Sequence, residues 1–300
     1  MRKKLKKQVK EEKMKNRTIK IASVAAAALF WIALLTLSAS AKEFKYDFPS
    51  GAAPVNITLN SRSVLEGEAA IIDSVTYVPL RSFSELSGAE DISWDAKTQT
   101  ATVKKYNMIA KICASKKYVE ASGRYFYLDN EVKNIDNRLF IPVRIAAKLF
   151  CVDVDWNSKT RTVVLKSTTD SFKTGAEFYD DGDLYWLSRI ISAESAGEPL
   201  RGKIAVGNVV INRKNHKSYP NTIYGVIFDR KNGTQFSPVS LGTIYNTPTA
   251  ESVISAKICL EGYSISDSIL FFMNPKIATN NWISQNRPFA FRIGNHYFYN

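Results

Sequence analysis

Histidine is almost missing from this chain: there are two, His216 and His296, in 300 residues. His216 sits in the polar stretch Lys214-Asn-His-Lys217, and neither histidine has the neighbouring cluster of Cys, Asp or Glu that a zinc site requires. A zinc amidase is therefore disfavoured, and no metal and no cofactor are expected. Cysteine is equally scarce. Cys113, Cys151 and Cys259 are far apart, odd in number and free of any C-x-x-C pair, which argues against a disulfide framework or a structural zinc. Each lies among apolar residues, so a small buried hydrophobe is the default reading; a single Cys113–Cys151 bridge stays open. Zinc-finger spacing and aromatic–basic RNA motifs are also missing, so no nucleic-acid partner is expected. No G-x-S-x-G elbow surrounds Ser237, and Pro238 withholds the backbone N–H that an oxyanion would need just after it.

Charge is unevenly placed. The chain carries 41 basic and 28 acidic residues, a net +13. The first twenty residues hold ten of the basic and two of the acidic ones, leaving 31 against 26 and a net +5 for the rest. Ile21–Leu37 follows without a charge, then Ser38-Ala-Ser-Ala41. A basic start, an apolar run and a small-residue exit together read as a secretory signal over 1–41, with cleavage near Ala41; an uncleaved N-terminal anchor is the alternative. In either case the remainder is expected to work outside the cytoplasmic membrane, because the positive flank stays inside. A net +5 suits an anionic wall polymer or membrane surface.

Residues 57–166 read as β-rich and contain one unit twice. Tyr77-Val-Pro-Leu-Arg81 returns as Phe140-Ile-Pro-Val-Arg144, 63 residues on, and Trp94-Asp-Ala-Lys-Thr98 returns as Trp156-Asn-Ser-Lys-Thr160, 62 residues on. In each copy the Pro ends a strand because it cannot donate to a ladder. A short helix follows, with Leu80, Phe83 and Leu86 or Val143, Ala146, Ala147 and Phe150 as its apolar side. The Trp-bearing segment then forms a polar hairpin turn. Arg81 and Arg144 are read as internal clamps on carboxylates or carbonyls rather than as ligand binders. This doubled pattern resembles the copper amine oxidase N-terminal-like domain. The resemblance implies a wall-binding or spacer role, and the absence of His here argues against copper. Ser167–Asp183 is polar and reads as a linker.

A third region, 184–300, carries the candidate chemistry. Leu184, Leu187, Ile190 and Ile191 recur at helical spacing, and Gly197 and Pro199 stop the helix. Glu194 falls at its C-terminal end, on or beside the apolar face. A carboxyl group there loses solvation when ionised, so its pKa rises and it can carry the proton that a general acid needs. A second, buried helix is expected from Ile204, Val206, Val209, Val210 and Arg213, with Gly202 and Gly207 permitting close packing. Asn208 and Asn212 share one face of it; they would either bond sugar hydroxyls and acetamido groups or satisfy buried backbone. A third helix is expected to begin at Thr247 as N-cap with Pro248 first, and to stop at Gly262. The aromatic runs at 269–275 and 290–299 read as strands flanking a cleft.

The blocks A-E-S-A-G-E-P, G-x-x-A-V-G-x-V-x-x-N-R, Y-P-N-T-I-x-G-V-I, Q-F-S-P-V, F-x-N-P and I-G-N-H-x-F-Y follow one another in order over 184–300. In this order they resemble the spore cortex-lytic enzyme family of cell-wall hydrolases. The resemblance implies a mainly helical lysozyme/lytic-transglycosylase-like domain with a small sheet, which after the β-rich repeat domain makes the chain α+β. It implies cleavage of peptidoglycan glycan strands, in the spore cortex or elsewhere in the wall, and makes Glu194 the catalytic residue. Phe236, Ser237, Trp282, His296 and Tyr297, with Asn208 and Asn212, are the candidate substrate contacts. His296 would bond substrate or orient Glu194, or else cap a strand end. A glycosidase ordinarily needs two carboxylates. Glu198 reads as exposed beyond the helix stop, and Asp229, Glu251 and Glu261 lie outside the sugar-binding blocks. The expectation is therefore a lytic transglycosylase with one Glu as acid and base. A hydrolytic muramidase or glucosaminidase, and a non-catalytic wall-binding protein, are the alternatives.

Overall fold

The computed structural model describes residues 44–231, 233–278 and 280–300. The leader expected at 1–41 lies outside the described residues. Among the described residues, no helix is long and apolar enough to cross a membrane.

Three short strands lead in: β1 (Ala53–Pro54), β2 (Asn56–Leu59) and β3 (Arg62–Val64). The first repeat is β4 (Ala70–Ile72), β5 (Val75–Pro79), α1 (Leu80–Leu86), β6 (Asp91–Asp95) and β7 (Thr100–Lys105). An insert follows as β8 (Met108–Cys113), β9 (Tyr118–Ala121) and β10 (Arg124–Tyr127). The second repeat is β11 (Lys133–Ile135), β12 (Arg138–Pro142), α2 (Val143–Phe150), β13 (Val152–Asn157) and β14 (Thr162–Ser167). The copies meet along β5 and β12, which pair antiparallel with Val78 opposite Ile141 and each Pro at its strand's end. This makes one sheet of order β1-β4-β5-β12-β11, beside sheets β10-β9-β8-β7-β6 and β13-β14-β2-β3. Helices α1 and α2 pack together under them, with Phe83 and Phe150 rings 5.8 Å apart. Leu80 and Phe83 are buried as expected, whereas Leu86, at the helix's last position, is exposed.

The Trp-Asp/Asn-x-Lys-Thr signature is a turn device. Asp95 Oδ1 accepts from the backbone N–H groups of Lys97 (2.9 Å) and Thr98 (3.4 Å). Asn157 Oδ1 accepts likewise from Lys159 (3.1 Å) and Thr160 (3.2 Å). Such side chains imitate a backbone turn acceptor, which is why Asp and Asn interchange here.

The helical region comprises α3 (Gly175–Phe178), α4 (Asp181–Ser195), α5 (Leu200–Asn215), α6 (Ile223–Ile227), α7 (Ser237–Leu241), α8 (Ala250–Leu260) and α9 (Trp282–Asn286). Its sheet has the order β15-β17-β16, from β15 (Phe271–Met273), β16 (Phe289–Ile293) and β17 (His296–Tyr299). The α+β expectation holds: a β-rich region is followed by a mainly helical one with a small sheet. Helices α4, α5 and α8 enclose one core containing Leu187, Ile190, Ile191, Val209, Val210 and Cys259. Gly207 allows their close approach, since a Cβ there would lie 2.6 Å from Cys259 Sγ and 2.8 Å from Ile191 Cδ1. Helix α8 starts two residues later than the Thr247-Pro248 signal suggested. Thr249 is the N-cap, its Oγ1 accepting from Ser252 N at 3.2 Å while its own N–H donates to Ser192 Oγ at 3.1 Å. That second bond ties the cap to α4, a constraint beyond local sequence. All three cysteines are free, so the bridge left open between Cys113 and Cys151 is not formed.

The stretch read as a linker is ordered and pinned. Phe172 is buried in the β-rich core, and Thr174 and Glu177 form a capping box on α3. Tyr179 Oη donates to Glu261 Oε1 at 2.7 Å. The β9–β10 hairpin seals the same place. Arg124 grips Glu261 with two 2.7 Å bonds and lies 3.8 Å from the Phe178 ring centre, while Lys257 Nζ reaches Gly123 O at 2.9 Å. Polarity alone reads as a linker; the aromatic residues at 172, 178 and 179 pack this linker against both regions. Residues 44–300 are thus one compact unit.

Candidate active site

Glu194 stands in the last turn of α4, above Leu187, Ile190 and Ile191, which are fully buried. The carboxyl itself is half-buried and makes no hydrogen bond or ion pair with another described residue. Losing water without gaining a partner disfavours the charged form. Its pKa is accordingly raised to about 7 by burial, with the Arg213 charge pulling the other way.

Arg213 is the residue that sequence reasoning left without a role. It projects from the buried face of α5, in series with Val206, Val209 and Val210, and is itself buried. Nε donates to Leu270 O at 2.7 Å, and Nη1 makes a longer contact, 3.4 Å, to Gln235 Oε1. The guanidinium lies 5.1–5.4 Å from the ring centres of Tyr219, Phe236 and Phe271. Burial lowers its pKa, and Tyr219, Asp229 and Glu194 oppose that. The signal for it was present in the sequence: a charge at a core position of an apolar helix is rare unless it is held for a purpose.

Around Arg213 the structure gathers some of the expected site residues and separates others. Phe236 is buried beneath α7 and meets Phe272 at 6.4 Å. Trp282 is exposed at the start of α9, edge-on to Phe271 at 6.5 Å, with Arg287 5.1 Å from its ring. Ser237 is exposed as the first residue of α7. His296 is buried, 5.3 Å from the Phe272 ring, and its Nδ1 has no partner. Burial lowers its pKa, and the charge that opposes this is Glu198, not Glu194. The reading in which His296 orients Glu194 therefore finds no contact to support it. Tyr297 neighbours it on the strand, so it points to the opposite face, against Phe289 at 5.7 Å.

The two asparagines take the second of the roles left open for them. Asn208 Nδ2 donates to Tyr263 O at 2.9 Å and its Oδ1 accepts from Ile265 N at 2.9 Å. Asn212 Nδ2 donates to Ser266 O and Ile269 O, both at 2.9 Å. Together they hold the 263–269 loop against α5, which leaves these amide groups no free donor for a sugar.

The four carboxylates weighed as partners for Glu194 are each engaged elsewhere. Glu198, read as exposed, is 8% exposed. Its two oxygens accept from Asn295 N and Asn295 Nδ2, both at 3.0 Å, and so hold the β16–β17 turn. The same turn needs Gly294, at φ +56, because a Cβ there would lie 1.8 Å from Glu198 Oε2. Glu251 pairs with Lys203 at 2.7 Å, Glu261 with Arg124, and Asp229 accepts from Lys231 N at 2.9 Å.

Residues 197–299 match the Cell Wall Hydrolase family and residues 58–165 the Copper amine oxidase N-terminal domain; Glu194 stands three residues before the first match. A spore cortex-lytic enzyme of Bacillus cereus is 35% identical over 120 residues, 40% of this chain and 45% of that protein. A spore cortex-lytic enzyme of Halalkalibacterium halodurans is 35% identical over 122 residues, 41% of this chain and 36% of that protein. This chain therefore spans less than half the length of the curated relatives it matches. The solved catalytic domain of the germination-specific lytic transglycosylase SleB from Bacillus anthracis is 33% identical, covers 43% of this chain and 100% of that one, and has a TM-score of 0.38.

Proposed function

We propose, for a chain whose residues 197–299 form a cell wall hydrolase domain, that it cleaves peptidoglycan glycan strands between N-acetylmuramic acid and N-acetylglucosamine. The observation that carries this reading is Glu194, a half-buried carboxyl without a partner, whose raised proton affinity suits a general acid. The engagement of Glu198, Glu251, Glu261 and Asp229 elsewhere supports a mechanism with one carboxyl group. Glu194 protonates the leaving glycosidic oxygen as the bond to the anomeric carbon breaks. The resulting carboxylate then takes the proton from the muramic acid 6-hydroxyl, whose oxygen closes on that carbon. The product is a 1,6-anhydro end, no water is consumed, and Glu194 is returned protonated. Phe236 and Arg213 shape and charge the wall beside it, and Trp282 offers an exposed face for a sugar ring. The wall, in the cortex or elsewhere, is the partner, and the protein acts outside the cytoplasmic membrane.

The test uses the full chain and its Glu194→Gln variant on purified vegetative peptidoglycan and cortex, with products identified by mass spectrometry. Anhydro-muropeptides from the wild type alone are expected. Reducing ends would replace this reading with hydrolysis by a water molecule, and equal release by the variant would remove Glu194 from the mechanism.

A further inference from the structure

Two grooves on the β-rich region repeat one chemistry. The smaller, about 140 Å³, has Trp94, Arg81, Ser82 and Arg138 on its walls. The larger, about 560 Å³, has Trp156, Arg144, Lys148 and Thr76. Arg81 and Arg144 are equivalent in the repeat, as are Trp94 and Trp156. Trp94 stands opposite Ala101 across its hairpin, and Trp156 stands opposite Val163. Each groove takes a further wall from a turn of the other repeat: Asn137–Leu139 for the first and Ser74–Thr76 for the second. Those turns are also 63 residues apart, and both have paired positive φ, at Asp73 and Ser74 and at Asp136 and Asn137. The grooves are therefore two copies of one site, assembled crosswise over the β5–β12 pair.

Hairpin geometry accounts for the Asp or Asn and its turn, but not for the tryptophans. Trp94 is 50% exposed and Trp156 44%. Both copies forgo the burial of the largest apolar side chain, although indoles are on average well covered. The charge around them is only loosely engaged: Arg81 makes one exposed contact, 3.7 Å to Glu85 a helical turn on, of the kind that contributes little and yields readily to a ligand. The smaller groove has two arginines and no carboxylate on its walls. In the larger one, Asp129 is bonded by the Tyr263 hydroxyl, Asp155 lies 4.0 Å from Lys166, and Glu261 belongs to Arg124. Arg144 and Lys148 have no carboxylate partner among the described residues. A flat indole beside a guanidinium fits a sugar ring that lays its C–H face on the indole and offers a carboxylate to the fork. A nucleic acid would need a continuous basic track, which the net +5 after the first twenty residues and the acids on the larger groove do not provide.

We propose that the β-rich region holds two quasi-equivalent sites for a carboxylated glycan, built on Trp94 with Arg81 and on Trp156 with Arg144. Naming peptidoglycan as that glycan rests on the function proposed above; the existence of the sites does not. Two linked sites on one polymer reinforce each other, because the second contact becomes intramolecular.

The experiment measures sedimentation of the full-length Glu194→Gln chain with purified insoluble peptidoglycan, which it holds uncut, and calorimetric titration with soluble muramic-acid oligosaccharides. Trp94→Ala and Trp156→Ala are each expected to weaken binding by roughly three- to tenfold, and together by more than either. Trp156→Phe should keep most of the affinity, and Arg81→Gln and Arg144→Gln should lose affinity while unfolding within about 3 °C of the parent. A double tryptophan variant that is folded and binds the wall as well as its parent overturns the proposal, as does preference for a single-stranded DNA oligomer. With Glu194 restored, the double variant should cut soluble oligosaccharides at the parent's rate and insoluble wall more slowly. A wild type that binds through these tryptophans yet releases nothing would overturn the proposed catalysis and leave the sites standing.

Discussion

Glu194 illustrates how a single carboxyl sets terms for both activity and stability. As a general acid it must hold its proton before reaction, so kcat is expected to fall as pH rises through about 7, readable in a pH–rate profile on a soluble glycan. The stability sign follows from the same shift. A glutamate whose folded pKa lies above its unfolded value binds more protons when folded, so the protein loses stability as pH climbs from about 4.5 to about 7. Glu194→Gln should therefore leave stability at pH 4 nearly unchanged and raise it by about 2–3 kcal/mol at pH 8, a figure discounted for the carboxyl's residual solvent contact. Thermal melts at the two pH values check this, and an equal gain at both would refute it. Arg213 acts on the same proton from the opposite side. Arg213→Gln should move the alkaline limb of the rate profile to higher pH, because the cation that favours the carboxylate is gone. It should also cost about 1–3 kcal/mol, since Leu270 O loses its donor.

At the scale of elements, packing between helices decides what substitutions are tolerated. Gly207→Ala forces a methyl group into Cys259 and Ile191 and is expected to destabilise by about 1–3 kcal/mol. Adding Cys259→Ala opens the space and should recover part of that loss, a coupling that a double-mutant cycle measures. The elements also show what a sequence can reveal. The repeat was legible because its signature residues each do something local: Pro79 and Pro142 end strands, and Asp95 and Asn157 close turns. The α4 helix was legible from Leu187, Ile190 and Ile191, and the aromatic strands from their composition. The start of α8 was not, because Thr247-Pro248 and Thr249 satisfy the same local rule and only the bond to Ser192 separates them. Glu198 was misread because its partner, Asn295, is 97 residues away. Asn208 and Asn212 were ambiguous for a similar reason: helical spacing places them on one face but does not say that the 263–269 loop occupies it.

For the whole molecule, the seam between the β9–β10 hairpin and α8 adds most to the reading of two domains joined by a polar linker. Arg124 and Glu261 are both mostly buried, and removing one partner of such a pair leaves the other charge stranded. Arg124→Ala is expected to cost about 3–5 kcal/mol and to split a single calorimetric unfolding transition into two, the first belonging to whichever region depends more on the seam. A variant that still unfolds in one step at the parent temperature would show the seam to be passive.

That seam also limits how this chain can be rebuilt. Exchange of modules between wall proteins works where the joint is a loose segment with few contacts across it. A chimera joined just after Ser167 would keep the helical region but discard Arg124, leaving the Glu261 carboxylate and the ring of Phe178 facing whatever the new neighbour presents. Such a graft is expected to be poorly soluble unless it carries the 118–127 hairpin with it. The natural cutting point for an engineer therefore lies in neither family's matched span alone: the hairpin inside 58–165 packs onto the helical region through Arg124 and Glu261.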